Sequence, residues 1–262
     1  MPRFAANLTM LFTELSFLDR FAAAASAGFK AVEFLFPYEF DHGAIKRQLD
    51  RHGLSLVLHN LPAGNWSAGE RGIACLPDRV TEFRAGVAKG IDYARALECR
   101  QVNSLAGLTP KVADPAVVHR TLVENLRYAA HEFNRAGLTL LVEAINTEDM
   151  PGFHLSTTKQ ALELVSEVGA PNLKLQFDIY HMHIMEGNVA RTIETNLGSI
   201  AHVQIADHPG RNEPGTGEID FPLLFAHLDR IGYSGWIGCE YKPRAGSVAG
   251  LGWLEKAVRL KS

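Results

Sequence analysis

Eight short apolar, β-branched runs alternate with longer amphipathic stretches from one end of this chain to the other, and that alternation constrains the fold more than any other feature. The runs read as strands over residues 4–10, 31–36, 55–60, 101–106, 139–144, 173–178, 202–206 and 236–241. Between and after them, helical patterns cover residues 15–27, 41–52, 77–97, 115–136, 157–168, 189–197, 222–231 and 247–258. Gly28, Gly53, Gly137 and Gly169 stand where left-handed helix caps belong, and Pro77, Pro115 and Pro222 suit first-turn positions. Strict β–α alternation implies a parallel sheet, and this number of units in 262 residues favours a closed (β/α)8 TIM barrel. A doubly wound open sheet is the alternative. Against it, the first βα junction, LTMLFTELSF, has no G-x-G-x-x-G phosphate turn. No low-complexity linker interrupts the pattern, so one domain spanning residues 1–262 is expected. The longest loop, residues 61–76 (LPAGNWSAGERGIACL), follows the third strand and is a candidate lid.

A net charge of −3 leaves no basic footprint for nucleic acid, and no apolar run approaches the ~20 residues of a membrane helix. The first residues, MPRFAANLTM, lack a signal-peptide pattern. Cys75, Cys99 and Cys239 are odd in number and far apart, which suggests reduced thiols rather than disulfides. A cytoplasmic protein is the expectation.

The fifth strand ends in a problem. LTLLVEAIN is apolar until Glu143, and a buried carboxylate is costly unless paired or coordinated. Side chains alternate across a strand. In LKLQFDIYH the apolar Leu173, Leu175 and Phe177 take the helix side, which turns Asp178 inward. The same reasoning turns Gln204 inward in AHVQIADH and Glu240 in GWIGCEYKP. Glu143, Asp178, Gln204 and Glu240 therefore stand one βα unit apart at the tops of strands five to eight, on the face where barrel active sites form. Like charges so close force protonation or demand a cation, and four oxygen ligands suit Mg²⁺ or Mn²⁺.

These residues sit in stretches that resemble a known family. FAANLTMLFTEL, AVEFLFPYEF, HNLPAGNWSAGERGIA, LVENLRYAA, DIYHMHIMEGN, HVQIADHPGRNEPGTGEI and GWIGCEYKP are similar, over nearly the whole chain, to the hydroxypyruvate isomerases among the xylose-isomerase-like TIM barrels. The resemblance implies Glu143 and Glu240 as the acid/base pair and Glu143, Asp178, Gln204 and Glu240 as ligands of a divalent cation. Wider sugar epimerases carry His where Gln204 stands, so a metal-independent reaction stays open. The implied activity converts hydroxypyruvate and tartronate semialdehyde through an enediol, with a glyoxylate-utilisation role. A 2-oxo-tetronate isomerase would use the same glutamates, and a ketose 3-epimerase is disfavoured by Gln204. A nuclease like endonuclease IV fits neither the charge nor the ligand types.

Around this pair, His181 either donates to a substrate oxygen or caps its βα loop. Arg211, in HPGRNEP, is preferred over Lys242 for the substrate carboxylate. Of His59 and Asn60, alternation turns one inward without saying which; His59 is carried as a substrate-binding candidate. Glu213 orients Arg211 or is solvated. Trp66 closes over substrate or packs its own loop, Asn7 and Asn103 bind or fill, and His202 reads as a packed core residue. The expected partner is a small hydroxy or oxo acid, with neither nucleic acid nor membrane, and homo-oligomerisation is left open.

Overall fold

Parallel pairing runs unbroken through β1 (Arg3–Asn7), β2 (Ala31–Glu33), β3 (Ser55–Asn60), β4 (Gln101–Ser104), β5 (Thr139–Glu143), β6 (Leu173–Asp178), β7 (Ile200–Ile205) and β8 (Trp236–Cys239). β8 then pairs with β1, and the sheet closes into a barrel. The structure is a computed structural model that describes residues 2–259. The helices are α1 (Arg20–Ser26), α2 (His42–His52), α3 (Val80–Ala96), α4 (Pro115–Arg135), α5 (Thr158–Val168), α6 (Ile179–Glu186), α7 (Val189–Asn196), α8 (Phe221–Arg230) and α9 (Gly252–Arg259). No described helix is long and apolar enough to cross a membrane.

Local chemistry sets the boundaries. Asp41 accepts from the Ala44 N–H at the start of α2, and Thr157 and Gln160 form a reciprocal capping box on α5. The same two helices stop at Gly53 and Gly169, whose φ values of 61° and 70° lie in the left-handed region. β1 and β2 end earlier than the apolar pattern suggests. Past Asn7 the chain turns, with the Met10 and Leu11 N–H groups both donating to the Asn7 carbonyl. The β6–β7 connection holds two helices where one was expected. Ile179, Tyr180, His181 and Met182 are four consecutive buried residues, so α6 has no polar face to give it a helical period.

Outward strand residues such as Leu140, Val142, Phe177, Val203 and Ile237 form the main core with helix residues such as Leu122, Leu126 and Phe133. Inside the barrel the filling is different. Ala5, Ala31 and Val57, with Trp236 against them, make a small apolar plug. Above it lies a polar layer centred on Glu33, which is fully buried. Its carboxylate accepts from Asn7 Nδ2 at 2.9 Å and Gln204 Nε2 at 2.7 Å, and pairs with His202 Nε2 at 2.6 Å. His202 in turn takes Gln101 Nε2 at Nδ1, 3.3 Å away. Gly238 makes room for this group, since a Cβ there would collide with both Glu33 oxygens.

Strand β3 carries an irregularity with consequences above it. Val32 pairs with Leu56 but Glu33 pairs with Leu58, so β3 spends one extra residue at Val57. Such a bulge reverses the inside–outside alternation beyond it.

Gly238→Ala should lower unfolding stability by about 1–3 kcal/mol, the usual penalty for overpacking a filled interior. Urea unfolding measures it, and an unchanged midpoint would mean that Glu33 does not occupy the space beside Gly238.

Candidate active site

The C-terminal ends of the strands open into a cleft of ≈310 Å³. Glu143, Asn60, His181, Arg211, Glu240 and Lys242 line it, and Met10, Leu35, Leu105, Ile145, Met150 and Trp66 supply apolar walls. Glu143 closes β5, Asp178 closes β6 and Glu240 follows β8, so the barrel brings all three carboxylates to one end. None is more than 5% exposed.

Arg211 joins them. Its Nη2 donates to Glu240 Oε2 at 2.7 Å and lies 3.4 Å from Asp178 Oδ2, while the guanidinium sits 5.2 Å above the Tyr180 ring. Nε is buried with no hydrogen-bond partner among the described residues, a donor left over for a bound oxygen. Burial opposes the Arg211 charge, but Glu240, Asp178 and Glu143 outweigh it and hold its pKa above the ordinary value.

Arg211 owes its position to a loop built on Asp207. One oxygen of this buried carboxylate accepts from the N–H groups of Gly215, Thr216 and Gly217 at 2.8–3.0 Å. The other accepts from His208 and Ile219 at 2.9 and 3.1 Å. The same loop holds Arg211 at φ 55°, a conformation a non-glycine residue keeps only when its surroundings impose it. Glu213 plays no part in orienting Arg211; it accepts instead from the Arg244 N–H at 3.0 Å.

Each carboxylate has a further partner. Asn103 Nδ2 donates to Glu143 at 3.0 Å, Asn7 Nδ2 reaches Glu240 at 3.3 Å, and the Tyr180 N–H donates to Asp178 at 2.8 Å. Burial, then the charges of Glu240 and Asp178, push Glu143 well above the usual carboxylate range. Burial raises Glu240 to about 8 against the pull of Arg211; burial also moves Asp178 upward, opposed by the same guanidinium. A carboxyl held at about 8, as Glu240 is, exchanges its proton near neutral pH.

His181 is buried at the first turn of α6. Asn146 fixes its tautomer. The Asn146 Oδ1 accepts from the Asp149 N–H at 2.7 Å, so its Nδ2 is the donor that meets His181 Nδ1 at 2.6 Å. The proton of the neutral ring therefore sits on Nε2, 3.5 Å from Asp178 Oδ2. Burial, then Arg211, hold the His181 pKa well below its ordinary value, and the ring is neutral.

Two expected site residues stand elsewhere. Gln204 lies beneath the cleft: its Nε2 donates to Glu33 at 2.7 Å and its Oε1 accepts from Gln176 at 2.6 Å, which commits both ends of the amide. His59 faces the helix layer, packed against Tyr38 with ring centroids 6.2 Å apart, because the β3 bulge shifts the alternation. Asn60 takes the inward place, its Oδ1 without a protein partner among the described residues. Lys242 is exposed at the rim of the cleft. Trp66 lines the cleft and packs on Phe36 at 5.1 Å and under Arg71, of its own loop, at 4.3 Å. Glu33 and Asn146 escaped the sequence reading. Glu33 had a signal, for AVEF places a Glu in an apolar strand as LLVE does.

The upper cleft gathers donors of the kind a divalent cation takes. Glu143, Asp178 and His181 are buried and offer ligand atoms within 4.8 Å of one another. The two carboxylates, with Glu240 beside them, fit such an ion; the His181 Nε2 carries the proton in this arrangement, and the Gln204 amide is already engaged at both ends.

Burial lowers the His59 pKa from 6.5 to about 4. The unfolded chain thus binds this proton first as pH falls, so folding stability drops between those two values. The shift corresponds to about 3 kcal/mol at most. Urea unfolding of His59→Gln from pH 7 to 4 should lose correspondingly less stability than the wild type; parallel curves would place His59 in contact with solvent.

A family model described as xylose isomerase-like TIM barrel matches residues 21–257. The chain is 53% identical over 255 residues to a hydroxypyruvate isomerase of Escherichia coli, covering 97% of this chain and 99% of that one. It is 50% identical, again over 255 residues, to a 2-oxo-tetronate isomerase of Cupriavidus necator, covering 97% and 98%. Among solved structures, a protein titled AP endonuclease, family 2 from Brucella melitensis superposes with a TM-score of 0.95 at 47% identity, covering 98% and 99%. A D-psicose 3-epimerase from Clostridium cellulolyticum shares the fold, with a TM-score of 0.77 at 20% identity over 95% of this chain and 88% of that one. With its closed eight-stranded barrel and a match over most of its length, the chain belongs to the xylose isomerase-like TIM-barrel family.

Proposed function

We propose that the chain is an isomerase of the aldose–ketose type that interconverts hydroxypyruvate and 2-hydroxy-3-oxopropanoate (tartronate semialdehyde). One observation carries the reading: Glu143 and Glu240 both line the cleft, and both are held above the ordinary carboxylate range. Moving the carbonyl from C2 to C3 removes a proton from C3, passes through an enediol and returns a proton to C2. A hydroxyl proton moves from O3 to O2 in the same conversion. Two carboxyls that repel each other's charge favour the state in which one is ionised and the other protonated, a base and an acid on one small substrate.

The remaining side chains bind and orient. His181 presents its Nε2–H, and Arg211 its unpartnered Nε–H, to oxygens on which charge develops. Arg211 is the first candidate for the substrate carboxylate because only Nη2 is engaged with Glu240 and Asp178; Lys242 at the rim is the second. A Mg²⁺ or Mn²⁺ ion held by Glu143 and Asp178, with Glu240 beside them, would add charge stabilisation at the enediolate oxygens. The proposal includes a cytoplasmic location, resting on the three unpaired cysteines, and glyoxylate utilisation, resting on the family resemblance.

A 2-oxo-tetronate isomerase is the second reading, favoured by the C. necator relative. The test is turnover of EDTA-stripped protein on hydroxypyruvate and on 2-oxo-tetronate, each with and without Mg²⁺ or Mn²⁺. Preference for hydroxypyruvate is expected. Preference for the four-carbon acid would exchange the substrate while keeping the glutamate pair, and inactivity on both under every condition would overturn the isomerase reading.

Glu143→Gln and Glu240→Gln should each reduce kcat by at least ~100-fold, the lower end for lost general acid–base catalysis. Near-normal turnover in either variant removes that residue from the proton transfers.

A further inference from the structure

Outside the cleft, one other place among the described residues gathers three metal-ligating side chains. His183, His208 and Glu218 offer ligand atoms within 4.8 Å of one another. His183 stands on α6, while His208 and Glu218 belong to the loop that follows β7. His183 Nε2 lies 2.8 Å and His208 Nδ1 3.1 Å from the same oxygen, Glu218 Oε1. The two imidazoles lean together with ring centroids 5.7 Å apart.

These separations are close to those around a metal. Ligand atoms ~2.0–2.2 Å from a tetrahedral zinc stand roughly 3.3 Å from one another. Both imidazole nitrogens already stand near that spacing from Glu218 Oε1, and all three donors lie within 4.8 Å of one another. The supports are also fixed. Glu218 N–H donates to the His208 carbonyl at 2.8 Å, and Asp207 ties both ends of the loop through its five N–H bonds. His183 and His208 are half-buried and Glu218 is exposed, so an ion can reach them from solvent.

We propose that His183, His208 and Glu218 form a second metal site, separate from the cleft, for a divalent transition ion of the zinc class. Two imidazoles in a set of three exclude a preference for Mg²⁺ or Ca²⁺, which take oxygen ligands. Three protein ligands leave at least one position to water. The bound ion clips α6, which carries His181, to the loop that carries Arg211. It thereby links two elements of the cleft without entering it.

The probe is Zn²⁺ itself, counted by equilibrium dialysis against EDTA-stripped protein. Wild type is expected to hold one equivalent more than His183→Ala, His208→Asn or Glu218→Gln, with folding of each variant checked by circular dichroism. The three substitutions lie on two separate elements, so the test survives the loss of any one variant. His208→Asn also keeps a donor toward Glu218. Repeating the comparison in a Glu143→Gln background separates zinc held in the cleft from the count, and the difference of one equivalent should persist. Equal zinc content in wild type and the folded variants, in both backgrounds, would overturn the site.

Discussion

Everything at the top of this barrel depends on placing three buried carboxylates and one guanidinium around a small cleft. Glu143, Asp178 and Glu240 would repel one another strongly at low dielectric, and burial alone disfavours their charged forms. Arg211 meets two of them with a single nitrogen. The other lone pairs are met by Asn7, Asn103 and the Tyr180 N–H. The compensation is incomplete, and that is chemically useful. A fully paired set would be permanently ionised; here burial and mutual repulsion keep the glutamates able to take and give protons. The loop around Asp207 serves this arrangement by holding Arg211 in a backbone conformation it would not adopt unaided.

The cleft is coupled to the barrel interior beneath it. Asn7 donates to Glu33 at 2.9 Å and to Glu240 at 3.3 Å, so one amide spans the two layers. Glu33 is itself held by His202 and Gln204. A buried carboxylate lacking these donors would be costly, and the surrounding strands supply them from β1 and β7. The glutamate below therefore helps fix the orientation of the glutamate above. Gly238 on β8 is the steric condition for the whole layer.

The eightfold alternation was readable because parallel strands buried on both faces leave an unmistakable apolar record. So was the inward turn of Glu143, Asp178 and Glu240, since each ends a run whose other face is plainly apolar. Three features were not readable, each for a physical reason. The β3 bulge leaves no mark in residue type, so periodicity could not separate His59 from Asn60. Helix α6 is buried at four successive positions and shows no amphipathic stripe. Gln204 has the inward orientation deduced for it, but orientation says nothing of partners; its amide is consumed by Glu33 and Gln176. Strand patterns report faces. They do not report which hydrogen bonds a side chain has already made.

The same distinction bears on substrate choice. A three-carbon and a four-carbon acid present the same carboxylate, carbonyl and adjacent carbon to Arg211, His181 and the glutamates, so the proton-transfer groups cannot tell them apart. The choice falls to the walls. Met10, Leu35, Leu105, Ile145 and Met150 are apolar, and a cleft of ≈310 Å³ leaves space beyond a three-carbon acid. An apolar wall rejects an added hydroxyl by only about 100-fold, because it offers no partner without creating a strong clash. Stronger discrimination requires a polar group that one substrate satisfies and the other leaves unpaired. Asn60 is the candidate for such a group: it lines the cleft, and its buried Oδ1 has no partner among the described residues. Selectivity between the two acids therefore turns on a few polar atoms at the edge of the cleft, while the buried carboxylates define the chemistry common to both.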